Sequence, residues 1–306
     1  YQGCVQPCIL KGKSREQMKV TVLGAGGMLG SDLIPVWRES SDLDFFSHSQ
    51  CDAANREQVR TVLEKSRPDL VLHLAAATNV DRCQTDRKYA YLNNTISSTI
   101  VAQECSRIEA GIVYISSIAV FDGEKTEPYT EFDMTGPVNI YGESKLQGER
   151  EIAQFCPQHW IFRTGWLFGG GPLDRKFVAN ILRKARQEEL RVVRDCVGSP
   201  TYTVDLARGI REIVGNQPFG VYHVVNAGPL VSRYELARHI LGIAHFDPDR
   251  ITPCLSGDLD LPAPRPRMEG ARSMKLPLLE NPPVLPDWRE SLEGYIEERL
   301  SQFLSS

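Results

Sequence analysis

The stretch Lys19–Gly30, which reads KVTVLGAGGMLG, decides the fold of this chain. Lys19–Gly24 is a short run with β-branched residues that ends in glycine, as buried parallel strands often do. Gly27–Glu39 then has the pattern of a helix, with Pro35 bending it or lying near its end. A glycine turn between a first strand and a first helix lets the backbone approach a pyrophosphate, to which the helix N-terminus presents free N–H groups. We therefore predict a dinucleotide-binding turn at Gly24–Gly30, against the alternative of a plain turn.

Strands and helices alternate through the rest of the first half of the chain. Further strands are predicted at Leu43–Ser47, Asp69–Leu74, Ile112–Ser116 and Trp160–Arg163. Further helices are predicted at Asn55–Lys65, Tyr141–Phe155 and Arg87–Glu109, the last with Gly111 as its C-cap. This alternation predicts an α/β fold with a Rossmann-type doubly wound parallel sheet over residues 18–168.

The pattern is less regular after Phe168, where residues 169–306 are expected to form mainly a smaller C-terminal substrate lobe. Part of 201–228 is expected to return to the Rossmann domain. Helices are predicted at Arg175–Glu188, Val204–Val214, Arg233–Leu241 and Asp287–Phe303, and a strand at Val221–Val225. Residues 1–17 show no clear period, and we expect a leader or extension there, ahead of a natural start at Met18.

The composition argues against several classes of function. A net charge of −4 and a pI near 5.9 leave no basic footprint for nucleic acid or an anionic membrane surface. No apolar run approaches the length of a membrane span, and no secretory signal is recognisable. The eight cysteines are scattered, without a C-x-x-C pair or a Cys/His zinc spacing. We therefore expect a cytoplasmic protein with reduced thiols and no metal site.

A candidate proton donor lies on the helix predicted to begin at Tyr141. Lys145 follows one helical turn later and therefore shares a face with Tyr141. A phenol has a pKa of about 10, and a neighbouring ammonium lowers it, so Lys145 is expected to make Tyr141 a stronger acid. Ser117 follows the fourth strand and is expected to donate to the same carbonyl oxygen, whereas Ser116 is expected to cap the strand end. The set predicts reduction of a carbonyl group.

The end of the second strand normally reads the adenosine ribose of a dinucleotide. An acid there favours a free 2′-hydroxyl, and a base favours a 2′-phosphate. This strand runs into Ser47-His48-Ser49, which is neither, so both NADP and NAD remain candidates. Asp52 follows, and it either meets the adenine edge or caps the helix Asn55–Lys65.

Five further motifs resemble the extended short-chain dehydrogenase/reductases and, among them, the dTDP-4-dehydrorhamnose reductase family. They are Leu74–Thr78 (LAAAT), Tyr114–Gly123 (YISSIAVFDG), Asn139–Glu149 (NIYGESKLQGE), Arg163–Phe168 (RTGWLF) and Gly198–Tyr202 (GSPTY). The resemblance runs from Met18 to about Leu276, and the last two motifs are more specific than the glycines. It implies an NAD(P)H-dependent reductase that acts on a nucleotide-linked 4-keto-deoxysugar. Relatives often pair as dimers through helices, so the resemblance also implies a homodimer.

The resemblance implies roles for individual residues. The pyrophosphate turn would include Gly24, Gly27, Met28 and Leu29. The nicotinamide half of the cofactor would lie beside Ala75, Ala76 and Ala77, with Asn93 behind it and Lys145 on its ribose. The substrate would meet Thr78, Ser117 and Trp166, although core packing is an equal alternative for Trp166.

The chain departs from the family pattern at several positions. The family usually has Asp-Tyr after the catalytic hydroxyl, where this chain has Ile118-Ala119, and the hydroxyl itself is usually Thr rather than Ser117. A C-terminal Arg-Pro-x-Asn-Ser motif reads RPRME here, from Arg265 to Glu269. Arg265 is still expected to pair with a substrate phosphate, which Glu269 would oppose.

Two alternative functions remain open at this point. One is a non-catalytic NADP-binding regulatory subunit that resembles the methionine adenosyltransferase β subunit. The other is a sugar-nucleotide epimerase that oxidises and re-reduces its sugar. The complete set of Ser117, Tyr141 and Lys145 favours the reductase, because a binding module has no physical need for it.

Overall fold

The computed structural model describes residues 17–185 and 190–301. Within these ranges the strands are β1 (Lys19–Leu23), β2 (Asp42–Phe46), β3 (Leu70–His73), β4 (Gly111–Ser117), β5 (His159–Thr164), β6 (Leu167–Phe168), β7 (Leu190–Val193), β8 (Val197–Gly198), β9 (Thr201–Tyr202), β10 (Gly220–His223), β11 (Val231–Ser232), β12 (Ile251–Cys254) and β13 (Met268–Glu269). The α-helices are α1 (Met28–Arg38), α2 (Arg56–Ser66), α3 (Val80–Thr85), α4 (Arg87–Tyr91), α5 (Ser97–Arg107), α6 (Ile140–Phe155), α7 (Phe177–Ala185), α8 (Thr203–Ile213), α9 (Arg233–Ile243) and α10 (Trp288–Arg299). The predicted extension before Met18, with Cys4 and Cys8, lies outside the described residues except for Gln17.

The main sheet has six strands in the order β10-β5-β4-β3-β1-β2, and all its neighbouring pairs are parallel. The strands are rich in Val, Ile and Leu because both faces of the sheet are buried. β2 lies on one side of β1 and β3 on the other, so the chain changes direction at β1. Parallel sheets bind ligands at the carboxyl ends of the strands beside such a switch point. The predicted doubly wound α/β fold is confirmed.

A second hydrophobic core lies in the C-terminal part of the chain. It is formed by α7, α9 and α10, and its buried members include Phe168, Leu182, Leu236, Trp288 and Leu292. Three small sheets, β11-β8-β13, β12-β7 and β6-β9, join the segments of this lobe. β10 leaves the lobe and pairs with β5 at the edge of the main sheet.

The predicted helix Arg87–Glu109 is helical from Arg87 to Arg107, but it is not an α-helix throughout. The segment Leu92–Ile96 between α4 and α5 is a π-helix, in which one extra residue enters the turn. Gly111 is not a cap but the first residue of β4, and the positive φ of 57° at the end of the helix belongs to Glu109. The helix α3 (Val80–Thr85) was not predicted, although Asn79 caps it by accepting a hydrogen bond from the N–H of Arg82.

A search of the described helices finds none with the length and apolar character that crossing a membrane requires.

Candidate active site

The glycine turn after β1 has the geometry of a pyrophosphate cradle. Gly24 has a φ of +88°, and a Cβ at this position would lie 2.5 Å from the backbone nitrogen of Ala75. The N–H groups of Gly24 and Ala25 both donate to the carbonyl of Phe46, which ties the turn to the end of β2. α1 begins at Met28, so the first-turn N–H groups that an α-helix leaves without an intrahelical acceptor lie directly after the turn. These features fit a turn that binds the pyrophosphate of a dinucleotide.

A cavity of about 410 Å³ opens beside this turn. Its walls include eleven of the predicted site residues: Gly24, Gly27, Met28, Leu29, Gly30, Ala76, Thr78, Ser117, Tyr141, Lys145 and Trp166. Five other predicted residues do not line it, namely Asp52, Ala75, Ala77, Asn93 and Arg265. The structure therefore brings the glycine turn and the predicted catalytic set to one cavity.

Tyr141 lies in the first turn of α6. The helix begins here because the Asn139 side chain caps it, accepting a hydrogen bond from the N–H of Gly142 at 2.9 Å. Ser117 ends β4, and its Oγ accepts from the N–H of Ala119 at 3.1 Å. Burial raises the pKa of Tyr141 to about 12, an effect that the adjacent Ser117 hydroxyl opposes. Tyr141 is therefore a protonated phenol throughout the neutral range.

Lys145 lies one turn further along α6 and is 2% exposed. Its Nζ lies 3.9 Å from the centroid of the Tyr114 ring. Burial lowers the pKa of Lys145 to about 7, although the charge of Glu149 opposes this shift. The prediction that Lys145 lowers the pKa of Tyr141 below its usual value is wrong for this structure, because burial dominates both groups and favours the neutral form of each.

Glu149 continues the same face of α6 and forms a buried ion pair with Arg163 of β5, with a shortest distance of 2.7 Å. The hydroxyl of Ser116 also donates to Glu149. Ser116 is thus a structural residue that holds the middle of α6 against the sheet, rather than the strand-end cap that the sequence predicted.

Asn94, not Asn93, lies behind the cavity. The Asn94 side chain accepts from the N–H of Ala77 at 2.8 Å, and it donates to the carbonyl of Ala77 and to Ser144 Oγ. The Asn93 amide instead donates to the carbonyl of Tyr89 in its own helix. The contacts therefore favour Asn94 over Asn93 for a position behind the cavity. Ala77 faces Asn94, and Ala75 packs against Gly24.

Asp52 does not cap α2. The cap is Asn55, whose side chain accepts from the N–H groups of Glu57 and Gln58. Asp52 accepts from the N–H of Ala54 at 2.9 Å in the loop that precedes the helix. This placement leaves contact with the adenine edge as the prediction for Asp52.

Trp166 occupies the side of the cavity that the C-terminal lobe forms. Its backbone φ of 43° turns the chain sharply after β5. Its indole Nε1 donates to Glu269 Oε2 at 2.8 Å, and the guanidinium carbon of Arg233 lies 3.5 Å from the ring centroid. Glu269, expected to oppose Arg265, therefore positions Trp166.

Arg265 has an ionic partner within the protein. Its guanidinium bonds Asp81 of α3 at 2.8 Å, and its other nitrogen donates to the carbonyl of Ala263. Asp81 also accepts from the N–H of Ala263, so this pairing fastens the C-terminal segment to α3. The contacts favour a structural role for Arg265 over the predicted phosphate contact.

The sequence analysis missed Lys176 and Arg233 as cavity residues. Lys176 Nζ donates to Thr78 Oγ1 at 2.9 Å and thereby holds the predicted substrate residue Thr78. Arg233 is the first residue of α9, and a Ser-x-x-Glu capping box at Ser232 and Glu235 marks this start in the sequence. That signal predicts the helix start but not the direction of the Arg233 side chain.

Ile118 and Ala119, which replace the Asp-Tyr pair of the family, are 1% and 4% exposed. Ile118 packs in a small cluster with Phe121, Tyr129 and Met268. These positions therefore contribute apolar packing in this chain rather than polar contacts to a substrate.

The last helix of the described chain reaches the first. Arg299 of α10 bonds Asp32 of α1 at 3.2 Å, and Asp32 also accepts from the N–H of Gly170. Gly170 has a φ of 73°, and a Cβ there would lie 2.6 Å from Met28 Cγ. Asp32 thus joins α10 and the glycine-rich loop to the helix that follows the phosphate turn.

A Rossmann sheet with a glycine turn after β1, and with Ser117, Tyr141 and Lys145 at the carboxyl edge, defines a short-chain dehydrogenase/reductase. The family model described as RmlD substrate binding domain matches residues 18–301. The chain belongs to the dTDP-4-dehydrorhamnose reductase family of oxidoreductases, as its motifs predicted.

Known proteins resemble the chain over nearly its whole length. A dTDP-4-dehydrorhamnose reductase from Mycolicibacterium smegmatis is 36% identical over 283 residues, which cover 91% of this chain and 85% of the relative. The structure of a dTDP-4-dehydrorhamnose reductase from Clostridium acetobutylicum superimposes with a TM-score of 0.87 at 32% identity, covering 93% of this chain and 100% of that one. The Bacillus anthracis enzyme in complex with NADP superimposes with a TM-score of 0.86 at 34% identity and the same coverage.

Proposed function

We propose that this chain is an NADPH-dependent reductase that converts the 4-keto group of dTDP-4-dehydrorhamnose, or of a closely similar nucleotide-linked deoxysugar, to a hydroxyl. The observation that carries the proposal is the single cavity in which the glycine turn meets Ser117, Tyr141 and Lys145. NADP is bound by the Bacillus anthracis relative, which supports it as the cofactor over NAD.

The cofactor would lie along Gly24–Gly30, with its nicotinamide beside Ala76 and its ribose on Lys145, and it supplies the hydride when bound. Tyr141 holds a proton on Oη, and its raised pKa keeps that proton in place until the carbonyl oxygen gains negative charge. Ser117 donates a hydrogen bond to the same oxygen and orients it. Lys145, with a pKa of about 7, is available to return a proton to the phenol after each turnover.

The two parts of the chain divide this work in our proposal. Residues 18–168 bind the cofactor, together with the returning part of 201–228, and the rest of residues 169–306 mainly bind the sugar nucleotide. The direct pairing of β10 with β5 supports the return. Trp166 and Thr78, which both lie in residues 18–168, remain proposed substrate contacts.

The proposal extends to the setting of the enzyme. A cytoplasmic location is supported by the six cysteines of the described residues, which are all buried free thiols and fit a reducing compartment. A homodimer through helices is supported by Leu92 and Ile96, which are 38% and 46% exposed and lie about one turn apart.

The test is NADPH consumption with dTDP-4-dehydrorhamnose, comparing the wild type with Tyr141→Phe. We expect kcat to fall at least about a hundredfold in the variant, because a general acid is removed. The affinity for NADPH, measured by fluorescence titration, should stay within about twofold, since the ring and its packing remain. Equal rates in both proteins would refute the mechanism, and turnover without net NADPH consumption would indicate an epimerase.

A further inference from the structure

A second cavity of about 440 Å³ adjoins the first one in the C-terminal lobe. The two cavities share Lys176, Phe177, Arg233 and Glu269 in their walls. The cations that line the second cavity are Lys176, Lys184, Arg191, Arg233 and Arg265, whereas Glu269 is the only acid among its described lining residues. Such a wall favours an anionic ligand.

The side chain of Arg233 stands at the junction of the two cavities. Its guanidinium carbon lies 3.5 Å from the centroid of the Trp166 ring and 4.8 Å from that of Phe177. These contacts hold the planar group by its faces and leave the N–H donors on its edge. No carboxylate oxygen of the described residues lies within 4.0 Å of these nitrogens.

Arg233 and Arg265 differ in whether a carboxylate of the described residues lies close to the guanidinium. Arg265 already bonds Asp81 at 2.8 Å. Burial lowers the pKa of Arg233 to about 10, which the charge of Glu269 opposes, so the guanidinium stays charged at neutral pH. Glu269 Oε2 is itself occupied by the indole N–H of Trp166. A desolvated cation without a close acid is costly unless an anion binds it.

We propose that Arg233 binds the diphosphate of the sugar nucleotide, with Trp166 and Phe177 as the platform that orients its guanidinium. The proposal rests on the reductase function given above. A guanidinium edge matches the geometry of phosphate oxygens and forms charge-assisted, two-point hydrogen bonds with them. Because Arg233 lines both cavities and Tyr141 only the first, a diphosphate at Arg233 directs the sugar toward Tyr141 and the nucleoside into the second cavity.

The experiment measures binding of dTDP and of thymidine to the full chain by calorimetry. We expect Arg233→Gln to weaken dTDP binding by about 10- to 100-fold, the usual effect of losing a charge-assisted contact. Thymidine carries no phosphate, so its affinity should change by less than about threefold. Arg233→Lys should fall between the two proteins, because it keeps the charge but not the planar edge.

Arg265→Gln is the matched control, since it removes the same group from the wall of the same cavity. Its dTDP affinity should fall less than about threefold, because the guanidinium is already paired with Asp81. Unchanged NADPH binding in every variant reports an intact fold.

Equal losses of dTDP affinity in Arg233→Gln and Arg265→Gln would overturn the proposal. So would an equal loss of dTDP and thymidine binding in Arg233→Gln, or a wild type that binds no dTDP. A wild type that binds dTDP through Arg233 but does not reduce dTDP-4-dehydrorhamnose would refute the proposed function and leave this assignment standing.

Discussion

The two walls of the first cavity differ in the charge that their titratable groups carry at neutral pH. On the Rossmann wall, burial raises the pKa of Tyr141 to about 12, lowers that of Lys145 to about 7, and lowers that of His73 beneath it to about 3. Each shift favours a neutral group. On the lobe wall, burial also lowers the pKa of Arg233, but only to about 10, so Arg233 remains a cation at neutral pH.

The difference follows from the burial of the Rossmann wall and from the residue type on the lobe wall. The Rossmann wall is backed by the sheet and by buried Tyr114, so its polar groups face little water. On the lobe wall, the ordinary pKa of an arginine is so high that the guanidinium of Arg233 stays charged although burial lowers its pKa. A neutral wall suits a proton donor that must respond to charge forming on a substrate, whereas a charged wall suits binding of a phosphate.

Ser117→Ala would give the largest effect on the Rossmann wall. We expect kcat to fall by about 100-fold, because one donor to the developing oxyanion is lost. Steady-state kinetics measures this fall. Ser116→Ala is the matched control: Ser116 also lines the cavity, but its hydroxyl donates to Glu149, so stability should fall by about 1 kcal/mol with less than a tenfold loss of kcat. The assignment of Ser117 would be wrong if the two variants had the same kcat.

Gly24→Ala tests the glycine turn after β1, which lines the same wall of the cavity. A positive φ and an overlap with Ala75 should together lower the free energy of unfolding by about 3 kcal/mol. Urea denaturation measures this loss. Gly26→Ala provides the comparison, because a Cβ there meets its nearest neighbour, Ser47, only at 3.4 Å. Similar losses in the two variants would contradict the close approach of Gly24 to Ala75.

Lys145→Met tests the cost of keeping the Rossmann wall uncharged. The pKa of Lys145 falls from 10.5 to about 7 on folding, so between these values the unfolded chain binds the extra proton and wild-type stability rises with pH. Below pH 7 Lys145 is protonated in both the folded and the unfolded chain, so the full free-energy cost of burying its charge lowers the stability of the wild type. The variant should therefore melt at least about 2 °C above the wild type at pH 6. The difference in melting temperature between the variant and the wild type should shrink toward pH 10. A variant that melts below the wild type at pH 6 would refute the lowered pKa of Lys145.

Asp81→Asn should give the smallest effect, on the lobe side. The side chains of Arg265 and Asp81 are 26% and 35% exposed, so losing their ion pair should cost less than about 1 kcal/mol. The carbonyl of the asparagine can still accept from the N–H of Ala263. Chemical denaturation at low and high salt checks both statements. A loss above about 2 kcal/mol would show a stronger ion pair than its exposure allows.

The sequence predicted the Rossmann wall because its signals are local. Each signal depends on neighbouring residues only. The signals are a glycine run after a buried strand, a hydroxyl at a strand end, and the spacing of Tyr141 and Lys145 by one helical turn. The exception is Asn93: the asparagine that bonds Ala77 behind the cavity is Asn94, and both lie in a π-helix that the sequence did not predict. An extra residue in one turn leaves no trace in the apolar spacing.

The lobe wall could not be predicted in the same way. Trp166, Arg233 and Glu269 come from three distant segments, and their contacts depend on the positive φ of Trp166 and on the path of the chain. The same is true of Arg265, whose partner Asp81 lies 184 residues away in sequence. The sequence predicted one cation of this lobe, Arg265, as a phosphate contact, but only the fold shows that it already has an acidic partner.

The contact between Arg299 and Asp32 makes the two ends of the described chain thermodynamically dependent on each other. Any ligand that stabilises α1 also favours the conformation in which α10 contacts α1. By thermodynamic reciprocity, the packing of α10 also favours binding of that ligand. A cofactor held at the start of the chain would therefore shield its far end from fraying and from proteases. Truncating the C-terminal end of the described chain would in turn lower the affinity for the cofactor, although none of the removed residues would contact the cofactor.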